Sequence, residues 1–325
     1  MPVPLHERVK RRVRSVLIGG AIRLLRQLPL RPALALGAWV GRLAHLLAVR
    51  PRRRALRQLA LCLPERTEAE RRAIVRRMFV HLGRDAFELA AIRSCDARLA
   101  ARVEVSPPTL LQEVIARGRG MVLVAGHLGS WALLARRVAR AGIPTALIAQ
   151  AGPDAGLTAL AERFLAEGGV TTLRGEDPET GRAIVRTFRR GRALGLLIDQ
   201  DAGVQGVFVP FFGRPAWTPR TAADLAIRFG APVVVGTIHR RGPRPEDGHL
   251  LEVVEVPFST DPPDQEAEAV RLTAACSAVL EAAIRRHPDQ WVWLHERWRT
   301  QPGGEHPAET HLARPVPKSS GLSAG

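Results

Sequence analysis

The sequence predicts an α/β fold: a mixed, mostly parallel sheet flanked by helices, preceded by a helical and strongly basic N-terminal region. Three observations carry that prediction. From residue 103 onward, short apolar runs of strand length alternate with longer amphipathic segments, the spacing of a sheet built at least partly from parallel strands. One such run, Met121–Val124, ends in a turn holding Gly126, His127 and Gly129, then opens into a segment with Trp131, Leu134, Ala135 and Val138 at helical spacing. The first 60 residues hold fourteen Lys/Arg against one acid, Glu7, and so supply thirteen of the chain's seventeen net positive charges.

At 325 residues, 46% of them apolar and 24% charged, the chain can bury one large core or two modest ones. Cys62, Cys95 and Cys276 are odd in number, scattered and in no metal-binding spacing, which predicts a reduced protein without a disulfide framework.

Taken in order, residues 1–60 come first. The apolar stretches Val16–Leu25 and Ala33–Val49 are interrupted by Arg23 and Arg42, and a cluster at Arg50–Arg54 follows. Neither stretch supplies the roughly 20 uninterrupted apolar residues of a spanning helix. No small-residue cleavage site follows the first, which argues against a secretory signal. Apolar faces broken by Arg, with Trp39 among many leucines, suit helices lying in the headgroup region of an anionic membrane. A single tilted span over residues 33–49 is one alternative, and helices packed on the core are another. Nucleic acid is disfavoured, because its recognition calls for exposed polar or aromatic readers between the basic residues rather than Leu/Ala/Val runs.

Thr67 and Glu70 form a capping box. The helix it opens carries Ile74, Val75, Met78, Phe79 and Leu82 on one stripe and runs towards Glu88–Ile92. Strands are then predicted at Met121–Ala125, Thr145–Ala149, Val170–Leu173, Ala193–Ile198, Val207–Pro210, Pro232–Ile238 and Leu250–Val256, with helices near 131–141, 156–167, 178–190, 219–229 and 263–286. The whole divides into a membrane-associating helical region (1–100), an α/β domain (101–302) and a disordered tail (303–325) rich in Pro, Gly and Ser.

Three stretches carry chemistry. His127 sits where ligands bind in open α/β sheets, beyond the carboxyl end of a strand, with small neighbours that allow close approach. A polar loop residue satisfied by carbonyls is the plainer alternative. The run ALGLLI ends in Asp199-Gln200-Asp201, two acids suited to metal binding, acid–base work or orienting a His, or simply to a turn before Gly203. In GVFVPFFGRPAWTPRTAADLAIRFG, Thr218 followed by Pro219 predicts a helix start, with Arg220 in the first turn as an anion site would require. The apolar patch Val209–Phe212 before it is either core or a pocket wall. The closing QWVWLHERWRT gathers Trp291, Trp293 and Trp298, a segment that is either interfacial or closes the core.

These blocks carry a resemblance. GHLGSW is similar to the first motif of the lipid A biosynthesis acyltransferases, part of the lysophospholipid acyltransferase superfamily. DQDAGVQGVFVPFFGRPAWTP, APVVV and HPDQWVWLHERW resemble further family blocks in the same order, and RRRALRQLALCLPERTEAERR resembles the helical lead-in, so that roughly residues 15–302 are covered. The resemblance implies a glycerol-3-phosphate acyltransferase-like fold. It implies transfer of a fatty acyl chain from acyl carrier protein or acyl-CoA to a hydroxyl of an anionic lipid, at the cytoplasmic side of the bacterial inner membrane. No cofactor and no metal are implied.

Residue by residue, it makes His127 the general base, with Asp199 and Asp201 matching the family's paired acids. Gly129 and Trp131 fall in the first motif and Thr218 in the second as candidate substrate contacts, and Arg220, just beyond the second, joins them from its place at the expected helix start. Arg163, in ERFLAEGG, matches loosely a family Arg for the acceptor phosphate, and Arg174 competes with it. One departure stands out: where the family has His, four residues, then Glu or Asp, this chain has Ala132. Either another acid (Asp199, Asp201 or Glu88) reaches His127, or the enzyme is slow, or the fold binds lipid without catalysis.

Overall fold

The computed structural model describes residues 27–91, 102–149, 162–175 and 177–303, together with Gly20, Leu24 and Leu25. Cys95, the tail from residue 304, most of Val16–Leu25 and the front of the helix expected at 156–167 lie outside the described residues.

Three helices lead: α1 (Leu30–Leu47), α2 (Val49–Cys62) and α3 (Glu68–Ala91). The α3 start is the expected capping box, with the Thr67 N–H donating to Glu70 Oε2 at 2.7 Å and the Glu70 N–H to Thr67 Oγ1 at 3.3 Å. Gly37 and Gly41 of α1 lie directly against the backbone of Gly83 and Phe79 in α3, an approach that any Cβ would block. Among the described residues no single helix is long and apolar enough to cross a membrane; α1 and α2 pass that test only as a pair, and they are bent by 88°.

The α/β part comprises β1 (Val103–Ser106), α4 (Leu110–Ile115), β2 (Met121–Ala125), α5 (Trp131–Arg140), β3 (Thr145–Ala149), β4 (Val170–Arg174), α6 (Thr180–Arg189), β5 (Ala193–Leu197), β6 (Gly206–Phe211), β7 (Arg214–Pro219), α7 (Thr221–Phe229), β8 (Val233–Arg240), β9 (His249–Val256) and α8 (Gln265–Arg286). Seven strands form one sheet in the order β1-β9-β8-β2-β5-β3-β4. Within it only β8 and β9 pair antiparallel, so the mixed, mostly parallel sheet is as expected. Every residue of β2 is buried. Val122 and Val124 face the cluster built with α7 and α8, while Met121, Leu123 and Ala125 face the one built with α4 and α5, so helices cover both faces. A third cluster joins Ala55, Leu59, Val75 and Met78 of the leading helices to Phe211, Phe212, Trp291 and Trp293.

One expectation is corrected here. Thr218 and Pro219 do not start a helix: they end β7, and the helix begins at Thr221 after an Arg220 cap. β6 and β7 form a hairpin whose two turn residues, Phe212 and Gly213, both have positive φ (53° and 69°), the primed geometry that matches strand twist. Pro210 and Pro215 face each other in that hairpin, which stands apart from the main sheet and so tolerates their missing donors. Four-residue β1 was too short to show a period, and is defined by parallel pairing with distant β9.

Cys62 and Cys276 are free and buried, and burial pushes each thiol up to about 12.

Candidate active site

Parallel register places two side chains together. β2 and β5 are neighbours with Ala125 opposite Leu197, so His127 and Asp199, each two residues beyond that pair, leave the sheet side by side. Gly126 makes the approach possible: a Cβ there would lie 2.9 Å from Asp199 Oδ2. Gly129, at φ +55°, presses its α-carbon against the Ile238 carbonyl of β8, where no side chain fits.

The contact is a dyad. His127 Nδ1 lies 2.8 Å from Asp199 Oδ1, and the His127 backbone N–H donates to Asp199 Oδ2 at 2.6 Å. The Trp291 indole N–H donates to that same Oδ2 at 2.6 Å. With three donors around it and no exposed surface, Asp199 stays ionised. Burial alone would raise its pKa, but the imidazole and the N–H donors hold it below the usual carboxylate value. An acceptor at Oδ1 puts the imidazole proton on Nδ1 and leaves the Nε2 lone pair open. The His127 side chain is 24% exposed. Burial pulls its pKa down, yet the Asp199 charge outweighs it and the net direction is up from 6.5. Such a pair can take a proton at Nε2 and hold the resulting cation.

The remaining expected site residues are placed as follows. Trp131 opens α5 with its ring edge-on to His127, centroids 6.1 Å apart. Asp201 is buried but turned away from the imidazole. It accepts the Thr300 N–H at 2.7 Å and pairs with Arg299 at 3.1 Å, anchoring the C-terminal segment. Thr218 has no exposed surface; its hydroxyl donates to Ala216 O and accepts from Arg297. Arg220 is held by Asp224 at 2.9 Å and by Glu266, so its cationic head is already satisfied by two acids rather than open to an anion. Arg163 and Arg174 line an open cavity of about 720 Å³ at the β4 edge, where they pair with Glu167 and Glu162. β4 is three strands from β2, roughly 14 Å at about 4.8 Å per strand.

Of the acids that stood as substitutes for the missing motif carboxylate, Asp199 reaches His127. Glu88 does not: it is engaged by Arg102, Arg240 and, at 3.0 Å, His249, which together hold it at about 2 against the opposing effect of burial. Ala132 itself is buried in an apolar cluster with Ala135, Leu165 and Val170. Val209, Phe211 and Phe212 pack as core, with Phe212 stacked on Trp291 and edge-on to Trp293.

The sequence did not single out the C-terminal segment as part of the site. Residues 290–292 pair with the His127 loop: the Gly129 N–H donates to Gln290 O at 2.9 Å and the Val292 N–H to His127 O at 3.3 Å. Its Trp-rich composition was visible, but its pairing partner lies more than 160 residues away and leaves no local signal. Arg297, also fully buried, donates to Trp217 O and Thr218 Oγ1 and is lowered by burial to about 10. Among the described residues no group of three or more His, Cys, Asp or Glu is placed to hold a metal ion.

A carboxylate-held imidazole beyond the carboxyl ends of a mostly parallel sheet is placed where ligands bind in such sheets and can accept a proton there. The comparisons with known proteins narrow the class. The family model for bacterial lipid A biosynthesis acyltransferases matches residues 5–300, and the chain belongs to that family. It is 28% identical over 288 residues to the lipid A biosynthesis lauroyltransferase of Escherichia coli K12, covering 88% of this chain and 91% of that one. The palmitoleoyltransferase of the same organism is 27% identical over 293 residues, with the same coverage. The phosphatidylinositol mannoside acyltransferase of Mycolicibacterium smegmatis is 26% identical over 232 residues, 66% of this chain and 68% of that one.

Proposed function

We propose that this chain moves a fatty acyl group from an acyl thioester, on acyl carrier protein or CoA, to a hydroxyl of a lipid A precursor or a related glycolipid. The single observation that carries this reading is the His127–Asp199 pair with Nε2 left open. As the acceptor oxygen attacks the thioester carbonyl carbon, its proton passes to His127 Nε2. The tetrahedral intermediate collapses with breakage of the C–S bond, and the departing thiolate takes the proton back from the imidazolium. Asp199 holds the Nδ1–H tautomer and stabilises the cation that forms between the two steps. The alternative, a homologue that binds lipid without catalysis, rests on Ala132. The Asp199 contact favours the catalytic reading, since it supplies the carboxylate from β5 instead of α5.

The protein works, in this proposal, on the cytoplasmic face of a bacterial inner membrane. α1 supports it by leaving Leu36, Trp39, Leu43, Leu46 and Leu47 exposed, while Arg42 beside them and Arg50, Arg53 and Arg57 of α2 are exposed as well. Apolar side chains flanked by arginines suit an anionic surface. An acceptor phosphate reaching Arg174 would have to displace Glu162 from it.

The test is purified protein in anionic nanodiscs, supplied with acyl carrier protein or CoA thioesters and a panel of acceptors: lipid A precursors, mannosylated phosphatidylinositol and lysophospholipid. Products are read by mass spectrometry. An acceptor that gains one acyl mass, with release of one thiol, supports the reading; thiol release with no acylated lipid on any acceptor overturns it.

A further inference from the structure

The segment Gln290–Val292 grips the His127 loop through backbone pairing on both sides of Leu128, which itself bridges to Trp291. Gln290 locks the segment onto β8, accepting the Arg240 N–H at 2.8 Å and donating to the Arg240 carbonyl at 2.9 Å. Between those anchors the Trp291 ring turns inward. It is buried against Phe211, Phe212 and Trp293, with centroids 5.9, 6.4 and 4.6 Å away. Its indole N–H ends at Asp199 Oδ2, the oxygen that also accepts the His127 N–H, and only Oδ1 faces the imidazole.

We propose that Trp291 is a positioning residue for the His127–Asp199 pair: its N–H fills the second acceptor position of Oδ2 and so fixes the carboxylate with Oδ1 aligned on Nδ1. The inference rests on reading His127 as the general base. A carboxylate turns about an sp³–sp² torsion with broad wells, so a single backbone donor would leave it free to swing. Two donors on one oxygen, one from the loop and one from a packed indole, remove that freedom. The other charged or titratable groups nearby have partners of their own: Arg297 on Trp217 and Thr218, Arg299 on Asp201, and His295 on the Asp201 carbonyl. Substituting Trp291 leaves those contacts in place.

The experiment compares Trp291→Phe with Trp293→Phe in the full chain. Trp293 is as deeply buried and its N–H donates to Pro288 O at 2.7 Å, so its substitution matches the packing loss without touching the dyad. Two quantities are read: kcat against pH, and the ¹⁵N titration of the His127 ring, which needs no turnover. Trp291→Phe should lower kcat roughly 10- to 100-fold, the range for losing a hydrogen bond to a charged group. It should also move the His127 midpoint downward, because a carboxylate that swings off Nδ1 stabilises the imidazolium less, while Trp293→Phe leaves that midpoint in place. A midpoint that stays or rises in Trp291→Phe, or falls equally in both variants, overturns the proposal. If the wild type transfers nothing, the ring titration still decides: a downward shift confined to Trp291→Phe upholds the positioning role and fails only the transferase reading. Should Trp291→Phe not fold, the wild-type indole proton decides instead. Its resonance must move more than that of Trp293 on Asp199→Asn, and an unmoved resonance overturns the proposal.

Discussion

Asp199→Asn changes one atom of the dyad and should cost far more than its volume implies. Asp199 accepts on both oxygens: Oδ2 takes the His127 N–H and the Trp291 N–H, and Oδ1 faces Nδ1. An amide can accept on one side only. With its oxygen towards Nδ1, its NH2 would face two donors at 2.6 Å, two buried unsatisfied contacts that together cost roughly 2–6 kcal/mol. With its oxygen towards those donors, its NH2 faces Nδ1, and the imidazole has to move its proton to Nε2. The second arrangement wins, and it removes the lone pair that accepts the substrate proton. A wrong-tautomer imidazole in a comparable triad costs on the order of 10⁴ in rate, about 5 kcal/mol of barrier. The assay is thiol release under saturating acceptor, with near-ultraviolet circular dichroism to show that the fold is kept. Activity of Asp199→Asn within about tenfold of wild type would refute the reasoning.

Other expectations follow from the same geometry. Because the Asp199 charge raises the His127 pKa despite burial, kcat/KM should fall on the acid side with a midpoint above 6.5; in Asp199→Asn any residual activity should show a midpoint below 6.5, since only the lowering effect of burial remains, and a midpoint unchanged between the two contradicts the assignment. Ala132→Glu should fail to raise the rate and should lower thermal stability, because it drives a carboxylate into the apolar cluster of Ala135, Leu165 and Val170; a faster enzyme would show that the motif position still reaches His127. Trp39→Asp with Leu46→Asp and Leu47→Asp should weaken binding to anionic liposomes at least tenfold, since each loses roughly 1.5–3 kcal/mol of burial if fully inserted; co-sedimentation equal to wild type would rule out this face of α1. Deleting residues 1–60 is the poorer test, as it strips Ala55 and Leu59 from the core along with the Gln58 side chain that bonds Trp293 O.

The parts of the site that were legible share one property: their signal is local. An apolar run ending in Gly-His-x-Gly marks a strand terminus with a reactive side chain, and a second run ending in Asp marks another. Which acid meets which base is a question of register. Sequence order puts β3 and β4 between β2 and β5, whereas the sheet puts β5 beside β2. The misread helix start at Thr218 has the same origin. Thr-Pro suits a helix cap and a strand end equally, and the choice was made by the Phe212-Gly213 turn, where the Phe212 N–H is met at 2.5 Å by Glu281 from α8. Arg220 looked open to an anion because one of its two acid partners, Glu266, lies 46 residues away. The segment at 290–292 has no periodicity at all, since it completes a pairing with the His127 loop instead of forming an element of its own.

The central claim is that the imidazole of His127, held by Asp199, performs acyl transfer. It is met most directly by single-turnover acylation of the acceptor that wild type uses, followed by mass spectrometry for wild type and His127→Ala. The account predicts one acylated product per enzyme for wild type, and for His127→Ala no product above the enzyme-free rate, with liposome binding and thermal stability retained. Product formation by His127→Ala at the wild-type rate would contradict it.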